Sequence, residues 1–248
     1  MENEKVAIIT GGASGIGKAA VKMLAKRGWA VSIADRNEDD GVALAKHISD
    51  EGGRAIFNLT DVANEDSIVA LVEKTLSKFS RLSGAVNCAG VMQSGKSITD
   101  MDQESWDIVN NINLRGMFLC IKHEARAMWD QREGSIVAIS SAAAVKGLVN
   151  SSDYCASKAG INGLVRGAAI DCVEQNIRVN AILPGATMTP MATASTASTP
   201  KLAGTLKRPL GRMAEPEEVA AAAVWLISDE ATYVTGASIA IDGGMTIA

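Results

Sequence analysis

The hydrophobic positions of the chain fall into two patterns that alternate along its length. Short apolar segments rich in β-branched residues are typical of buried strands. These segments cover residues 6–10, 30–34, 55–59, 82–87, 135–140, 178–183 and 238–241. Longer stretches in which apolar residues recur every three or four positions predict helices. They include residues 15–27, 40–50, 65–78 and 216–228.

Alternation of strands and helices predicts right-handed crossovers and a parallel sheet with helices on both faces. We therefore expect an α/β fold of the doubly wound Rossmann type, with a mostly seven-stranded parallel sheet. The sequence has no Pro-rich, Gly/Ser-rich or charge-block linker, which favours a single domain spanning residues 1–248. Ligands of such sheets bind beyond the carboxyl ends of the strands, so functional residues are expected there.

A glycine cluster follows the first predicted strand and directly precedes a helical pattern, in the segment Thr10 to Gly17. Gly11 suits the tight turn, Gly15 lets backbone approach a pyrophosphate, and Gly17 lets the helix pack close to the strand. Free amides at the helix start favour an anion. A tight turn alone would explain the glycines, but their place between strand and helix favours a dinucleotide site that includes Ser14 and Ile16.

The second strand ends at Asp35, about 20 residues beyond the glycines, where the adenine-side ribose of a dinucleotide is expected. A carboxylate there accepts bonds from ribose hydroxyls and repels a 2′-phosphate, which favours NAD over NADP. Arg36 keeps NADP as the alternative, because a guanidinium pairs with that phosphate. Residues after strands three and four are expected to line the same pocket: Asp61, Val62, Asn87, Ala89 and Gly90. Asp61 has a second possible role, as a helix cap.

Tyr154 precedes Lys158 by four residues, which places a phenol and an ammonium on one helix face. The ammonium is expected to lower the tyrosine pKa toward working pH, as a general acid/base requires. This spacing alone would also describe an amphipathic surface pair. Ser140 and Ser141, however, lie at the end of the fifth predicted strand, at the sheet edge where a substrate is expected. Asn113 lies in the helical stretch before that strand.

These motifs together resemble the short-chain dehydrogenase/reductase family over practically the whole chain. The resemblance also includes Asn180, Pro184, Gly185, Thr189, and the ending Asp242, Gly243 and Gly244. It implies a catalytic tetrad of Asn113, Ser141, Tyr154 and Lys158, with Tyr154 and Lys158 also contacting the cofactor. Pro184, Gly185, Thr187 and Thr189 are implied to bind the cofactor too. Cys88 and Thr187 stand where many relatives carry Asn and Ile, with slight expected consequences.

The family resemblance implies a hydride transfer between a nicotinamide and a secondary alcohol, diol or ketone, with Asn113 positioning a water for proton relay. The segment at about residues 189–210 is rich in Ala, Ser and Thr, and its place beyond a strand's carboxyl end favours a substrate lid over an unimportant surface loop. The substrate wall is expected to contain Ser141, Met92, Gln93, Ala143, Leu148, Val149, Asn150 and Met191. This wall is mostly apolar, which favours an uncharged substrate. Two short stretches, residues 91–95 and 184–191, are similar to those of family members that oxidise cyclic diols.

Composition and charge argue against several other classes of protein. A net charge of −4 and a sequence pI near 5.3, with scattered basic residues, argue against nucleic-acid binding. The start lacks a signal-peptide pattern, and no run of about 18 apolar residues supports a membrane span, so a cytoplasmic protein is expected. The four cysteines are widely spaced and are expected to be free thiols, and the two histidines, His47 and His123, are expected at the surface. No metal site is predicted.

Two other functions compete with alcohol oxidation by NAD. A 3-oxoacyl-carrier-protein reductase would share the motifs, although an acidic protein is a poor partner for an acidic carrier. A non-catalytic nucleotide-binding scaffold on the same fold would need no tetrad. The resemblance further implies a homotetramer with two-fold contacts between helices and between tails. Small residues on the helix after Tyr154, among them Gly163 and Gly167, would allow such close helix contacts.

Overall fold

The computed structural model describes residues 5–193 and 209–248. Its sheet has seven strands, all parallel, in the order β3-β2-β1-β4-β5-β6-β7. The strands are β1 (Val6–Thr10), β2 (Ala30–Asp35), β3 (Ala55–Leu59), β4 (Gly84–Asn87), β5 (Gly134–Ile139), β6 (Ile177–Pro184) and β7 (Ser238–Ile241). The expected seven-stranded parallel sheet is therefore confirmed.

Helices connect the strands and cover both faces of the sheet. They are α1 (Gly15–Lys26), α2 (Glu38–Asp50), α3 (Glu65–Phe79), α4 (Gln103–Asn110), α5 (Gly116–Met128), α6 (Ser152–Cys172) and α7 (Pro216–Ile227). A π-helical turn, Asn111–Arg115, joins α4 to α5. None of the helices in the described parts of the chain is long and apolar enough to cross a membrane.

Two apolar layers hold these helices against the sheet. Side chains alternate along β1, so Ala7 and Ile9 pack toward α1 and α7 while Ile8 packs toward α3, α5 and α6. All three residues are fully buried. Burial on both faces explains why the strands read as continuous apolar runs rather than as alternating ones.

Hydrogen bonding and strand pairing account for two of the boundaries that differ from the prediction. Helix α2 begins at Glu38, two residues before the predicted start, because the Asn37 side chain accepts the amide of Asp40 at 3.2 Å and caps the helix. Strand β6 continues to Pro184, one residue beyond the prediction, because Pro184 still pairs with Ile241 of β7.

The order of the strands creates the crevice in which the site lies. From β1 the chain moves outward to β2 and β3, and then returns to place β4 on the other side of β1. Carboxyl ends of β1 and β4 therefore meet where the connections diverge, which is the position where such sheets bind ligands. Most of the expected lid at 189–210 lies outside the described residues, since only its ends, 189–193 and 209–210, are described.

Candidate active site

A cavity of about 330 Å³ opens at the carboxyl ends of the sheet. At one end it is lined by the glycine-rich segment and by residues that follow β2 and β3. At the other end it is lined by residues after β4, β5 and β6 and by the segment after β7. The cavity thus joins the two sets of functional residues predicted from the sequence.

The glycine-rich turn has the shape of a phosphate cradle. Gly11 and Gly15 adopt φ angles of +64° and +50°, the left-handed region that favours glycine. A Cβ on Gly17 would lie 2.1 Å from the carbonyl oxygen of Gly11, so no larger residue fits without moving backbone. Gly11, Ser14, Gly15, Ile16 and Gly17 all line the cavity, at the start of α1. These residues fit a pyrophosphate group.

The Asp35 carboxylate is held in place at the end of β2 by two backbone amides. Ala13 N–H donates to Oδ2 and Asn37 N–H donates to Oδ1, each at 3.0 Å. Arg36 also lines the cavity, but it is exposed to solvent. A fixed, negatively charged acceptor therefore faces the expected ribose position, with the guanidinium at its margin.

Asp61 and Val62 both line the cavity. The alternative role of Asp61 as the helix cap is taken by Asn64, whose side chain accepts the amides of Asp66 and Ser67. The Asp61 carboxylate instead accepts the amide of Ala63 at 3.0 Å.

The turn after β4 matches the prediction only in part. Ala89 and Gly90 line the cavity, whereas Asn87 does not. Strand alternation turns the Asn87 side chain beneath the turn, where its Nδ2 donates to Glu124 Oε2 at 2.7 Å. Asn87 was expected to contact the cofactor, and the structure gives it a supporting position instead.

Ser141, Tyr154 and Lys158 converge at the middle of the cavity. Ser141 follows β5, and the other two lie one turn apart on α6. The Ser141 hydroxyl faces the Tyr154 phenol closely enough to lower its pKa, and its Oγ accepts the amide of Ala143 at 3.1 Å. Lys158 Nζ lies 5.6 Å from the centre of the tyrosine ring and donates to the carbonyl of Ile139 at 2.9 Å. The predicted shared helix face is therefore present.

The expected lowering of the tyrosine pKa is not found. Burial raises the pKa of Tyr154 above its usual value, and the Ser141 hydroxyl opposes that rise only in part. Burial also lowers the pKa of Lys158 to about 8, because a buried ammonium loses its hydration. The ammonium that was expected to stabilise a phenolate thus carries less charge itself, and the protonated phenol is favoured.

Asn113 lies fully buried in the π-helical turn rather than in a regular helix. Its amide pairs with the backbone of Val91: Oδ1 accepts Val91 N–H at 2.7 Å and Nδ2 donates to Val91 O at 2.9 Å. Nδ2 also donates to Ser157 Oγ at 3.3 Å. The Asn113 side chain therefore holds the segment after β4 against α6 and does not line the cavity.

Pro184, Gly185, Thr187 and Thr189 line the cavity as the resemblance implied. Thr189 reaches the glycine-rich turn, since a Cβ on Gly15 would lie 3.0 Å from Thr189 Cγ2.

The substrate wall differs from the prediction in several residues. Met92, Leu148 and Met191 line the cavity, whereas Gln93, Val149, Asn150 and Ala143 do not. Gln93 follows Met92 in a segment without regular secondary structure and is half-buried outside the cavity lining. Val149 points to solvent, with 40% exposure, and Asn150 sits in a left-handed turn. Ala143 packs behind the wall, with Val109 and Tyr154.

Sequence reasoning missed two methionines, Met213 and Met245, that complete the wall. Met245 is buried because the tail after β7 folds back over the cavity. Lys146 holds it there, since its Nζ donates to the carbonyl oxygens of Met245 at 2.7 Å and Ala248 at 2.9 Å. The motif ending in Gly244 was the available signal for Met245, and Met213 had none.

The remaining expectations concern metals and histidines. Across residues 5–193 and 209–248, no group of three or more His, Cys, Asp or Glu side chains is arranged to hold a metal ion. His47 is at the surface as expected. His123 is not fully at the surface, because its Nε2 lies 2.8 Å from Glu65 Oε1 between α5 and α3 and its side chain is only 16% exposed.

Comparison with known proteins agrees with this geometry. The family model described as Enoyl-(Acyl carrier protein) reductase matches residues 11–246. The chain is 42% identical to cis-4-hydroxycyclohexanecarboxylate dehydrogenase of Sinomonas cyclohexanicum and 41% identical to 2,5-dichloro-2,5-cyclohexadiene-1,4-diol dehydrogenase of Sphingobium indicum, each over 98% of this chain and 97% of the relative. It is 39% identical to a 3-oxoacyl-[acyl-carrier-protein] reductase of Thermotoga maritima, over 98% of both.

Among solved structures, levodione reductase superposes with a TM-score of 0.94 at 33% identity, covering 98% of both chains. The chain therefore belongs to the short-chain dehydrogenase/reductase family. Within that family it is an oxidoreductase that acts on the CH–OH group of secondary alcohols and uses a nicotinamide cofactor.

Proposed function

We propose that this protein is an NAD(H)-dependent dehydrogenase of uncharged, ring-shaped secondary alcohols or diols, or of the matching ketones. The observation that carries the proposal is the meeting of Ser141, Tyr154 and Lys158 in one cavity with the glycine-rich turn. When bound, the nicotinamide supplies the hydride acceptor or donor. The cradle around Gly17 and the carboxylate of Asp35 are the residues that would hold the nucleotide.

Tyr154 is the proposed general acid/base. In oxidation its phenolate oxygen takes the proton of the substrate hydroxyl, and in reduction its phenol returns a proton to the carbonyl oxygen. Ser141 holds the substrate oxygen and the phenol in one hydrogen-bonded set. Lys158 stabilises the phenolate that oxidation requires. Because burial favours the protonated phenol, the ligand-free site is prepared for reduction, and oxidation is expected to accelerate as pH rises.

Asn113 is the fourth member of the proposed tetrad. Its side-chain amide is committed to Val91 and Ser157, so a water of the proton relay would have to bind its backbone carbonyl. The π-helical turn supports this role, because widened turns interrupt the regular pairing of helix carbonyls.

NAD is the proposed cofactor, with NADP as the alternative. Two amides fix the Asp35 carboxylate, so it cannot swing away from a 2′-phosphate. Repulsion at that fixed position outweighs the attraction of Arg36, whose exposed side chain is screened by solvent.

The apolar wall supports an uncharged ring substrate. Four methionines line the cavity together with Leu148: Met92, Met191, Met213 and Met245. Such flexible thioether side chains adapt to irregular apolar shapes. Two of the relatives are named for cyclohexane or cyclohexadiene alcohols, which supports a ring-shaped substrate. The first of these alcohols carries a carboxylate, so the uncharged class rests on the apolar wall.

Initial rates with NAD and NADP over a panel would test the proposal. The panel should hold cyclohexanol, a cyclohexanediol, a cyclic hydroxy acid and a 3-oxoacyl thioester. We expect turnover of the uncharged ring alcohols with NAD. Preference for the thioester with NADPH would favour the competing reductase function, and no turnover of any member with either cofactor would favour a nucleotide-binding scaffold.

A homotetramer is the proposed assembly. Large apolar side chains on α4, α5 and α6 are exposed in the single chain: Trp106, Ile108, Phe118 and Ile170. A Cβ on Gly167 would meet nothing within 4 Å, so α6 has room for a neighbouring helix. Closed symmetry would cover this surface through isologous contacts. Light scattering should give about four times the chain mass of 25.8 kDa, and a mass near 25.8 kDa would reject the assembly.

We also propose that residues 1–248 form one catalytic domain, with residues 189–210 as its substrate lid, and that the protein is cytoplasmic. Four free thiols in the described residues fit a reducing compartment.

A further inference from the structure

Glu124 is a buried carboxyl group to which the mechanism above gives no role. It lies on α5 and is only 1% exposed. Its Oε2 accepts from Asn87 Nδ2 at 2.7 Å, and its buried Oε1 has no hydrogen-bond partner among the described residues. A charged carboxylate with an unpaired oxygen is costly inside a protein. Burial accordingly raises the pKa of Glu124 to about 8, against the opposing hydrogen bond from Asn87.

The Asn87 side chain carries this contact to the cofactor side of the sheet. Thr10 Oγ1 donates to Asn87 Oδ1 at 3.2 Å, and the same Thr10 hydroxyl oxygen accepts the amide of Ala89 at 3.3 Å. Ala89 in turn packs against Gly11, where an added Cβ would lie 2.9 Å from Ala89 N. One chain of hydrogen bonds therefore links α5, β4 and β1, and it ends where the two cofactor-binding turns touch.

We propose that Glu124 is a positioning residue, which holds the turn 87–90 against the glycine-rich turn through Asn87 and Thr10. The proposal rests on the dinucleotide binding proposed above. Glu124 acts as a neutral carboxylic acid. When it ionises, the buried charge has no compensating cation in its hydrogen-bond set, so the contact with Asn87 is reorganised and the cofactor-binding turn loosens.

The titration of Glu124 can be distinguished from that of the other ionisable groups around it. Helix α5 packs on α3, α6, the π-helical turn, β4 and β5, and neither strand has an ionisable side chain. In the π-helical turn the ionisable residue is Arg115, which is exposed and donates to the carbonyl of Ala63. Cys120, one turn earlier on α5, stays a neutral thiol because burial raises its pKa well above the usual value. On α3, Glu65 is bound to Lys122 and His123, and the helix's other ionisable residues, Asp66, Glu73, Lys74 and Lys78, are exposed.

On α6, the ionisable residues are Asp153, Tyr154, Cys155, Lys158, Arg166, Asp171 and Cys172. Lys158 is the important one for the test, because its pKa is also about 8. A pH profile of the native protein alone would mix the two groups. The profile must therefore be compared with that of a variant in which only Glu124 cannot ionise.

Glu124→Gln keeps the shape and the acceptor for Asn87 but never becomes charged, whereas Glu124→Leu removes the acceptor. Glu73→Gln, at an exposed site on α3, is the matched control. Dissociation constants of NAD should be measured by calorimetry from pH 6.5 to 9.5. At pH 6.5 we expect Glu124→Gln and the control to bind NAD as the native protein does, and Glu124→Leu to bind about tenfold more weakly, the effect of one lost buried hydrogen bond.

At pH 9.5 the native protein should lose about tenfold more NAD affinity than Glu124→Gln, because only a small fraction of Glu124 is then still neutral and binding-competent. Equal pH profiles for the native protein and Glu124→Gln would overturn the proposal. So would native NAD affinity in Glu124→Leu. If Glu124→Leu fails to fold, the comparison with Glu124→Gln still decides.

Thermal unfolding without NAD provides a separate measurement. The folded-state pKa of Glu124, about 8, lies above its usual 4.5. Its stabilisation is therefore complete below pH 4.5 and is lost as pH rises toward 8. The Tm of the native protein relative to Glu124→Gln should fall through that window and level off above it. A constant difference would contradict a neutral Glu124. Failure of the native protein to bind any nicotinamide nucleotide would overturn the proposed function, while this unfolding result would still test Glu124.

Discussion

The two ends of the cavity are built in different ways. At the cofactor end, the contacts of the glycine-rich turn with β2 and β4 join residues close in sequence or in adjacent strands, such as Ala13 with Asp35, 22 residues apart. Thr189, packed on Gly15, is the long-range contact there. At the substrate end, contacts join distant parts of the chain: Ser94 with Asp153 of α6 across 59 residues, and Lys146 with Met245 across 99. Local motifs and strand ends therefore define the cofactor end, whereas the substrate end depends on the completed fold. Such long-range loop contacts suit a surface whose specificity differs among relatives.

The largest effect is expected where the two ends meet, at Tyr154. Tyr154→Phe should retain NAD binding and lose turnover by about 10² to 10⁴-fold, the usual contribution of a general acid/base. Tyr233→Phe is the control, because Tyr233 is the only other tyrosine and is fully exposed. Steady-state rates and NAD titration would measure both properties. Near-native turnover in Tyr154→Phe would contradict the mechanism.

A second prediction compares a glycine from each end. Gly17→Ala should weaken NAD binding roughly 10²-fold, because accommodating its Cβ against the Gly11 carbonyl requires a backbone shift that costs about 3 kcal/mol. Gly147→Ala, in the loop after β5, should be close to neutral, because nothing lies within 4 Å of the added Cβ. Fluorescence titration with NAD would measure both. Equal effects would remove the contrast between a tightly packed cofactor end and a looser substrate end.

Cofactor choice gives a third and smaller effect. Asp35→Ser should improve the use of NADP relative to NAD by about 1 to 2 kcal/mol, roughly tenfold, because a charged contact to the ribose is lost and a repulsion is removed. Asp39→Ser is the control, in the exposed first turn of α2. The ratio of kcat/KM for the two cofactors measures the change. A native protein that already prefers NADP would overturn the assignment.

The smallest effect is expected at the substrate end. Lys146→Met removes the hydrogen bonds to the tail, which contribute about 1 kcal/mol, and should raise KM for the alcohol about fivefold. The dissociation constant of NAD should not change, since Lys146 does not contact the cofactor end. Lys46→Met, at an exposed pair with Asp50, is the control. An equal loss of NAD affinity would show that the tail supports the whole cavity.

Sequence patterns alone predicted the seven strands, the parallel sheet and most of the cofactor end. Apolar runs and turn residues act over a few positions, so residues 6–10 and 238–241 were predicted with their observed bounds. The glycine spacing and the distance to Asp35 are similarly local. Tyr154 and Lys158 were also found in the sequence, because one helix turn brings them together. The strand end indicated Ser140 or Ser141, and the choice of Ser141 came from the family resemblance.

The identity of the side chains that enter the cavity, and their ionisation, depends on the packing of the whole fold. Met213 and Met245 reach it through folded-back segments, while Asn87 turns away to meet Glu124. The pKa of Tyr154 rises rather than falls, because the effect of burial is larger than the opposing effect of the Ser141 hydroxyl. Burial and desolvation depend on every element packed around a group. These elements come from distant parts of the chain, so the spacing of a motif does not predict how strongly they bury a group.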